Sequence, residues 1–271
     1  MDKLYALWGY GFIGSSIFDK YLRVDHGSHL TLPGVIIPDY VEGVIWTAGF
    51  PGIKNVDDVE RNPIRSKLQN VWEPAELAQR CKEQGKRLLM ITSGCIFDRL
   101  NKDGNPHTEE DVPNFTSTVY LGDQVEKERL VLQACPNTTI FRIRVPFNGR
   151  VHARNSLHKL ANFKAVWDIQ QSYTWTDDLK KAVAAWKEYR IDGGIWHVTQ
   201  PGTLSNYEVI RKYINPNVGR IVGDIQAHEN MACPRSSAIL DCSKLNNVIA
   251  LTPAEEAFKL AVEQYKQNTR Y

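Results

Sequence analysis

The sequence predicts an α/β protein, with a parallel sheet covered by helices on both faces and a smaller C-terminal lobe. Three observations carry this. Short apolar runs alternate with helix-spaced segments over the first two-thirds of the 271 residues, which is the pattern of strand–helix–strand crossovers. A glycine-rich turn follows the first run directly. The composition, 42% hydrophobic and 24% charged, is that of an ordinary folded chain and argues against disorder.

Lys3 to Gly9 reads as a buried first strand. A helix follows from about Ser15 to Arg23, then a second strand around His29 to Leu32. Val44 to Ala48 is the third strand. Only about thirty residues separate Gly14 from Val44, so the second unit is cut down and has little room for a crossover helix. Asn62 to Glu83 has helical spacing through Leu68, Val71, Leu77 and Ala78, with Pro74 expected to kink or restart it. Arg87 to Thr92 is the fourth strand, Ser117 to Gln133 a helix and Thr138 to Val145 the fifth strand. Right-handed crossovers then leave few topologies.

The remainder is more mixed. Thr176-Asp177-Asp178 opens a helix with Leu179, Val183 and Trp186 on one face. Gly194 to Val198 is strand-like, and Ser205 to Tyr213 reads as a helix. Thr252-Pro253-Ala254-Glu255 reads as a capping box with proline at the first helical position. It starts a terminal helix through Ala257, Phe258, Ala261 and Tyr265. Residues 1–146 are expected to form the first domain. Residues 147–271 should form most of a second lobe, interleaved with the first and closing over the edge of the sheet.

Several classes are disfavoured. No window approaches eighteen uninterrupted apolar residues, so no membrane span is expected. Lys and Arg number 33 against 31 Asp and Glu, with no long basic run, so nucleic acid is not a favoured partner. Asp2 and Lys3 lead straight into a strand, unlike a secretory signal. The five cysteines are odd in number and lack C-x-x-C spacing, which points to reduced thiols in the cytoplasm. No Cys/His cluster has metal-ligand spacing.

Gly9-Tyr10-Gly11-Phe12-Ile13-Gly14 is G-x-G-x-x-G between a strand and a helix. Such a turn brings backbone N–H groups up to a pyrophosphate, which marks the first domain as Rossmann-like and dinucleotide-binding. The other reading is a tight turn that binds nothing. An acidic residue for the ribose is not found where the pattern wants one. Asp25 comes too early, and Asp39 lies beyond a Pro-Gly stretch. Arg23 precedes the second strand, so no arginine is placed for a 2′-phosphate, and NAD and NADP are not distinguished.

Further stretches resemble the extended short-chain dehydrogenase/reductases, in particular the nucleotide-sugar 3,5-epimerase/4-reductases of the rhamnose pathway and the dTDP-4-dehydrorhamnose reductases. They are Trp46-Thr47-Ala48-Gly49, Asn55-Val56-Asp57, Asn70-Val71, Thr92 to Phe97, Pro113-Asn114-Phe115-Thr116 with Tyr120, Arg142 to Pro146, Arg154-Asn155, Pro201-Gly202, Pro234-Arg235-Ser236 and Ser243-Lys244-Leu245. The resemblance implies an NADP or NAD cofactor, NADPH favoured, and a nucleotide-sugar substrate bearing a 4-keto-6-deoxyhexose. Cofactor contacts would come from Gly9, Gly11, Phe12, Ile13, Gly14, Ala48, Gly49, Tyr120 and Gln124. Ser93 and Tyr120 match the pair that flanks the ketone oxygen in reduction. Cys95 and Lys159 match the acid–base pair of epimerisation. Arg154, Asn155 and Arg235 match positions facing the nucleotide-sugar, and members of the family often pair through helices like that around Tyr120, which makes a homodimer a partner to expect.

The lysine that the family places four residues past the tyrosine is Gln124 here. A neighbouring cation shifts a tyrosine by roughly 1–3 pKa units, and glutamine supplies no charge. Lys127 lies two turns past Tyr120, about 10.5 Å along a helix axis, and on that count is a poor replacement. Epimerase activity therefore ranks ahead of reduction. The alternative is a non-catalytic nucleotide- or nucleotide-sugar-binding protein on the same fold. Structural readings stand beside each site residue. Cys95 could be packing, Lys159 a solvated helix lysine, and the arginines surface ion pairs. His152 or His158 could serve as the acid or base instead, and Trp167, Trp175 and Trp196 read as packing.

Overall fold

The computed structural model describes residues 4–18, 22–24, 37–53, 55–223 and 233–269. Its centre is a six-stranded, all-parallel sheet of order β2-β1-β3-β4-β5-β9. The strands are β1 (Leu4–Trp8), β2 (Leu22–Val24), β3 (Val41–Trp46), β4 (Arg87–Ser93), β5 (Thr139–Ile143) and β9 (Gly194–Val198). The expected α/β architecture is the one observed.

Period-2 alternation divides the core. Tyr5, Leu7, Ile45, Leu89, Ile91 and Phe141 face one side. There they meet Ile17 of α1 (Phe12–Ile17), and Leu179, Val183 and Trp186 of α7 (Thr176–Lys187). Ala6, Trp8, Val44, Trp46, Leu88 and Met90 face the other side, against Leu77, Ala78 and Cys81 of α4 (Glu73–Glu83) and Val131 of α5 (Val119–Ala134). Both α7 and β9 come from beyond residue 146, yet they pack into and extend this sheet.

The C-terminal lobe has its own core. Phe147, Tyr173 and Phe258 stack there with Leu157 and Leu160 of α6 (Ser156–Ala161) and with Val209 and Ile210 of α8 (Asn206–Tyr213). The final helix, α10 (Ala254–Asn268), covers it. Small parallel pairs, β6 (Pro146–Phe147) with β8 (Thr174–Trp175) and β7 (Ala165–Trp167) with β10 (Gly219–Ile221), complete the lobe.

Four local expectations change. Helix α1 begins at Phe12, directly on the glycine turn, and β2 falls at Leu22–Val24; the expected strand at His29–Leu32 lies outside the described residues. Pro74 does not end the helical stretch but stands in the first turn of α4, which follows directly on a π turn. Helix α3 (Pro63–Lys67) runs through a π turn, Leu68–Trp72, into α4. Proline lacks an N–H and its ring crowds the carbonyl four residues back, and a widened turn absorbs both defects. Strand β5 ends at Ile143 because Val145 adopts φ +40°, a left-handed conformation that a β-branched residue holds only under strain. Finally, Thr252 does not cap α10. Its N–H (2.6 Å) and hydroxyl (3.2 Å) both donate to the Asp178 carboxylate, and Pro253 stands at the cap. A capping box does occur at Ser205, which opens the helix expected there, with Glu208.

Beneath the strand ends a buried pair fastens α5 to the sheet. The Glu128 carboxylate accepts Arg142 Nη2 at 2.6 Å, Nε at 3.1 Å and the Thr92 hydroxyl at 2.6 Å. Removing one partner of a buried pair costs about 3–5 kcal/mol. Glu128→Gln is accordingly expected to lose about that much in urea denaturation; a loss below about 1 kcal/mol would contradict the role given to this pair.

Candidate active site

The strand ends open into a cleft of about 970 Å³. One end is the glycine turn. Gly9 has φ +96°, and a Cβ there would sit 2.5 Å from Ala48 N. A Cβ on Gly14 would lie 2.0 Å from the Gly9 carbonyl oxygen, so Gly14 serves close packing and does not border the cleft. Gly11 has open space where its Cβ would point, and it does border the cleft with Phe12 and Ile13. Ala48 and Gly49, in the loop after β3, form the adjacent wall. Thr47 pins that loop by donating its hydroxyl to the Gly9 carbonyl at 2.6 Å. These features leave backbone exposed to a ligand with no side chain in the way, so the residues present fit a dinucleotide. The stretch after β2, including Asp25, lies outside the described residues, and Asp39 does not border the cleft.

The other end holds the reactive side chains. Ser93 is the last residue of β4, and its Oγ accepts the Cys95 N–H at 3.2 Å, closing the short 3₁₀ turn Gly94–Ile96. Cys95 Sγ accepts Arg144 Nη1 at 3.1 Å. The sequence did not single out Arg144. Its guanidinium is fully buried, and its other donors go to Ala238 O, Ser236 Oγ and O, and Gln171 Oε1. Among the described residues no carboxylate pairs with it. Tyr120 stands in the first turn of α5, where burial raises its pKa, Cys95 adds to the rise and Arg154 opposes it. Lys159, on α6, is pushed down by burial and then by the Arg154 and Arg235 cations. Ser93, Cys95, Tyr120, Gln124 and Lys159 therefore all border one hollow.

The expected substrate residues fare differently. Asn155 is wholly buried and away from the cleft. Its Oδ1 caps α6 through Leu157 N (3.2 Å), and its amide donates to the Asn148 (2.8 Å) and Arg150 (2.6 Å) carbonyls. It positions the helix that carries Lys159 instead of facing a ligand. Arg235 borders the cleft, but its Nη2 donates to both carboxylate oxygens of Asp57, at 2.8 and 2.9 Å, and its Nη1 to the Cys233 carbonyl at 2.7 Å. Burial opposes ionisation of Asp57, while hydrogen bonds from Cys233 and Arg235 hold its carboxyl below the usual range. Arg154 borders the cleft too, with Nη2 donating to the Gly52 (2.5 Å) and Ile53 (2.8 Å) carbonyls.

The histidine alternatives find no support. His152 stacks on Phe12 and accepts the Arg154 N–H, His158 pairs with the Tyr265 hydroxyl, and neither borders the cleft. Trp167, Trp175 and Trp196 are also away from it.

Two further ionisable residues border the cleft without having been assigned a place there. Burial pushes the Glu73 carboxyl up to about 7, and its Oε1 is buried with no hydrogen-bond partner. Lys127 is 3% exposed. With Arg65, Arg154, Lys159 and Arg235 also on the walls, and Glu73 the one carboxylate there among the described residues, the lining is strongly cationic and suits a polyanionic ligand. Among the described residues no His/Cys/Asp/Glu group could hold a metal, and no helix is long and apolar enough to cross a membrane.

Comparison with known proteins gives a consistent picture. The sequence profile described as RmlD substrate binding domain matches residues 41–270. The chain is 32% identical over 209 residues to a trifunctional UDP-glucose 4,6-dehydratase/UDP-4-keto-6-deoxy-D-glucose 3,5-epimerase/UDP-4-keto-L-rhamnose-reductase of Arabidopsis thaliana, covering 73% of this chain and 31% of that one. It is 32% identical over 210 residues to a bifunctional dTDP-4-dehydrorhamnose 3,5-epimerase/dTDP-4-dehydrorhamnose reductase of the same plant, covering 73% and 68%. The chain thus spans about a third of the trifunctional relative's length and about two-thirds of the bifunctional one. Among solved structures, a UDP-rhamnose synthase of Acanthamoeba polyphaga mimivirus superposes with a TM-score of 0.83 at 21% identity, covering 96% of this chain and 99% of that one. A dTDP-4-dehydrorhamnose reductase of Bacillus anthracis, in complex with NADP, gives 0.77 at 16%, covering 97% and 99%. At such identities these likenesses are of fold.

Glu73 makes stability depend on pH in a definite sense. Its folded pKa of about 7 lies above the ordinary 4.5, so the folded state binds the proton more tightly. Stability is then lost as pH rises from about 4.5 to 7. The melting temperature of Glu73→Gln should gain on the wild type across that interval in thermal scans. A gap that stays constant with pH would contradict the assignment.

Proposed function

The chain belongs to the family described as RmlD substrate binding domain, and on that premise we propose that it is an NAD(P)-dependent enzyme that reduces the C4 ketone of a nucleotide-linked 4-keto-6-deoxyhexose, after epimerising C3 and C5 in the same cleft. The observation that carries this is the shared hollow: a glycine turn open to a pyrophosphate at one end, and Ser93, Cys95, Tyr120 and Lys159 at the other. Reduction is the clearer of the two activities among the relatives, which reverses the order read from the sequence. The relatives include a dTDP-4-dehydrorhamnose reductase of Streptomyces griseus, 30% identical over 168 residues, which cover 58% of this chain. The non-catalytic alternative rested on Gln124 and is not favoured by the enzyme names of the relatives or by the occupancy of the cleft walls.

The Gly9–Gly14 turn, the Ala48–Gly49 loop, Tyr120 and Gln124 would hold the dinucleotide. When bound, it supplies the two electrons and the hydrogen that the ketone carbon takes up. Tyr120, kept protonated by its burial, donates a proton to the oxygen as that carbon is reduced, and Ser93 Oγ offers a second hydrogen bond.

For epimerisation, a neutral Lys159 takes the proton α to the ketone. The C–H electron pair moves onto the carbonyl oxygen, where Ser93 and Tyr120 donate to the enolate. Cys95 then returns a proton from its S–H to the carbon. The sulfur left anionic is the atom that Arg144 Nη1 reaches at 3.1 Å. Solvent exchange restores the two groups.

The test uses a UDP- or dTDP-4-keto-6-deoxyglucose in deuterated water, with and without NADPH. Deuterium entering C3 or C5 reports epimerisation, and NADPH oxidation reports reduction; neither, with NADPH still bound, would reject the reading. Cys95→Ser should abolish exchange, and full exchange in that variant would remove Cys95 from the step. Tyr120→Phe should slow NADPH oxidation by about 10²- to 10⁴-fold, the range for loss of a general acid.

A further inference from the structure

We propose that Lys127 is a cofactor-binding residue of this site, supplying from α5, on the wall it shares with Gln124, the positive charge that Gln124 lacks to the bound dinucleotide. The inference rests on the function proposed above and adds a residue to it. Lys127 borders the same cleft wall as Tyr120, Gln124 and Thr92 and is almost wholly buried. Among the described residues it makes no hydrogen bond or ion pair. The carboxylates nearest it are committed elsewhere. Asp123 takes the Ser66 hydroxyl at 2.5 Å and Lys67 Nζ at 2.7 Å, and Glu128 is closed on Arg142 and Thr92. The Lys127 Nζ is not among the buried polar atoms left without a partner, so the ammonium reaches the open space of the cleft while its stem stays packed, where an apolar side chain would fill the same space without placing a charge there. A cation that opens on a ligand cleft from a buried stem, with no hydrogen bond or ion pair of its own, is therefore placed to meet the ligand.

Helix geometry makes the delivery feasible. Positions 124 and 127 are three residues apart, about 60° around the axis and about 4.5 Å along it. Side chains on a helix lean toward its N-terminus, here toward Gln124 and Tyr120. Glutamine at 124 is shorter than the family's lysine and carries no competing charge. Burial pushes the Lys127 pKa down to about 8, so the side chain is still largely cationic at pH 7 and loses its charge just above. The other ionisable groups lining this cleft are Arg65 from α3, Glu73 from α4, Lys159 from α6, Arg154 and Arg235, with the Cys95 thiol and the Tyr120 phenol; Lys67 on α3 and Arg142 on β5 are in their own ion pairs.

The test is NADPH binding to the full chain, by isothermal titration calorimetry at pH 7.5 and 9.5, where the 2′-phosphate (second pKa about 6) is fully ionised throughout. The wild type is expected to lose about tenfold in affinity over that interval. Lys127→Met should bind about tenfold more weakly at pH 7.5, show little further loss at pH 9.5, and melt no lower than the wild type. Lys127→Arg, charged at both values, should keep its affinity at pH 9.5, which a merely space-filling lysine would not predict. Gln124→Lys/Lys127→Met should recover most of the binding. Wild-type affinity and pH dependence in Lys127→Met, or a wild-type fall with pH in Lys127→Arg, would overturn the inference while leaving the proposed function standing. Should Lys127→Met fail to fold, Lys127→Arg decides alone. A wild type that binds neither NADPH nor NADH would sink the proposed function, and this inference with it.

Discussion

The closure of Glu128 on Arg142 sets the terms for the rest of the cleft. It joins a helix to the strand beneath it through a carboxylate that also holds Thr92 on the next strand. Tyr120, Gln124 and Glu128 are spaced four residues apart, so they share one face of α5. Fixing Glu128 against the sheet therefore fixes the direction in which the tyrosine and glutamine point. In low dielectric such a pair stands or falls as a unit, and the helix has one seating. The reactive end of the cleft is placed by that seating and by Ser93, which ends the neighbouring strand and supports the turn carrying Cys95.

A second theme is the distribution of positive charge. Arg154 is spent on backbone carbonyls, Arg235 on Asp57, and Arg144 on neutral acceptors and a sulfur. The Asp57 contact cancels the charge of Arg235. The walls thus keep a positive field while their side chains are held rigid by hydrogen bonds. A field built from immobilised groups needs little reorganisation when an anion arrives or when negative charge develops on a ketone oxygen.

Much of this was legible in the chain. The strand–helix alternation pointed to the sheet, because burying a parallel sheet on both faces leaves an unbroken apolar run, as in Tyr5, Ala6, Leu7 and Trp8, whose side chains go alternately to the two cores. The glycine turn and the residues at the strand ends were found by local pattern. What escaped notice depended on distant partners. Asn155 reads as a ligand contact until its cap on α6 and its bonds to the 148–150 loop are seen. Arg144 stands just past the end of β5, two residues after Arg142, and nothing nearby in sequence tells that its donors meet residues 92 and 94 positions away. Thr252 looks like a helix cap because its rival acceptor, Asp178, is 74 residues distant. Pro74 looks like a break because the remedy for a missing N–H is a change of helix type, which residue propensities do not encode.

That change of helix type bears on how the cleft is held. The π turn at Leu68–Trp72 carries Asn70, whose side chain accepts Phe50 N at 2.7 Å and donates to Phe50 O at 3.0 Å, while Ser66 one turn earlier ties it to α5 through Asp123. A π turn carries one residue more than the α turn it replaces for nearly the same rotation, so α3 and α4 keep their phase and the extra residue is taken up as a local bulge. Excising a single residue from 68–72 would tighten the turn to plain α-helix and remove that bulge, and with it the grip of Asn70 on the loop, while Leu77 and Ala78 stayed seated on the sheet. This wall is thus a single helical rod with one residue set aside for the ligand loop. Length within those five positions is consequently a stricter inheritance than the identity of most of the side chains they carry.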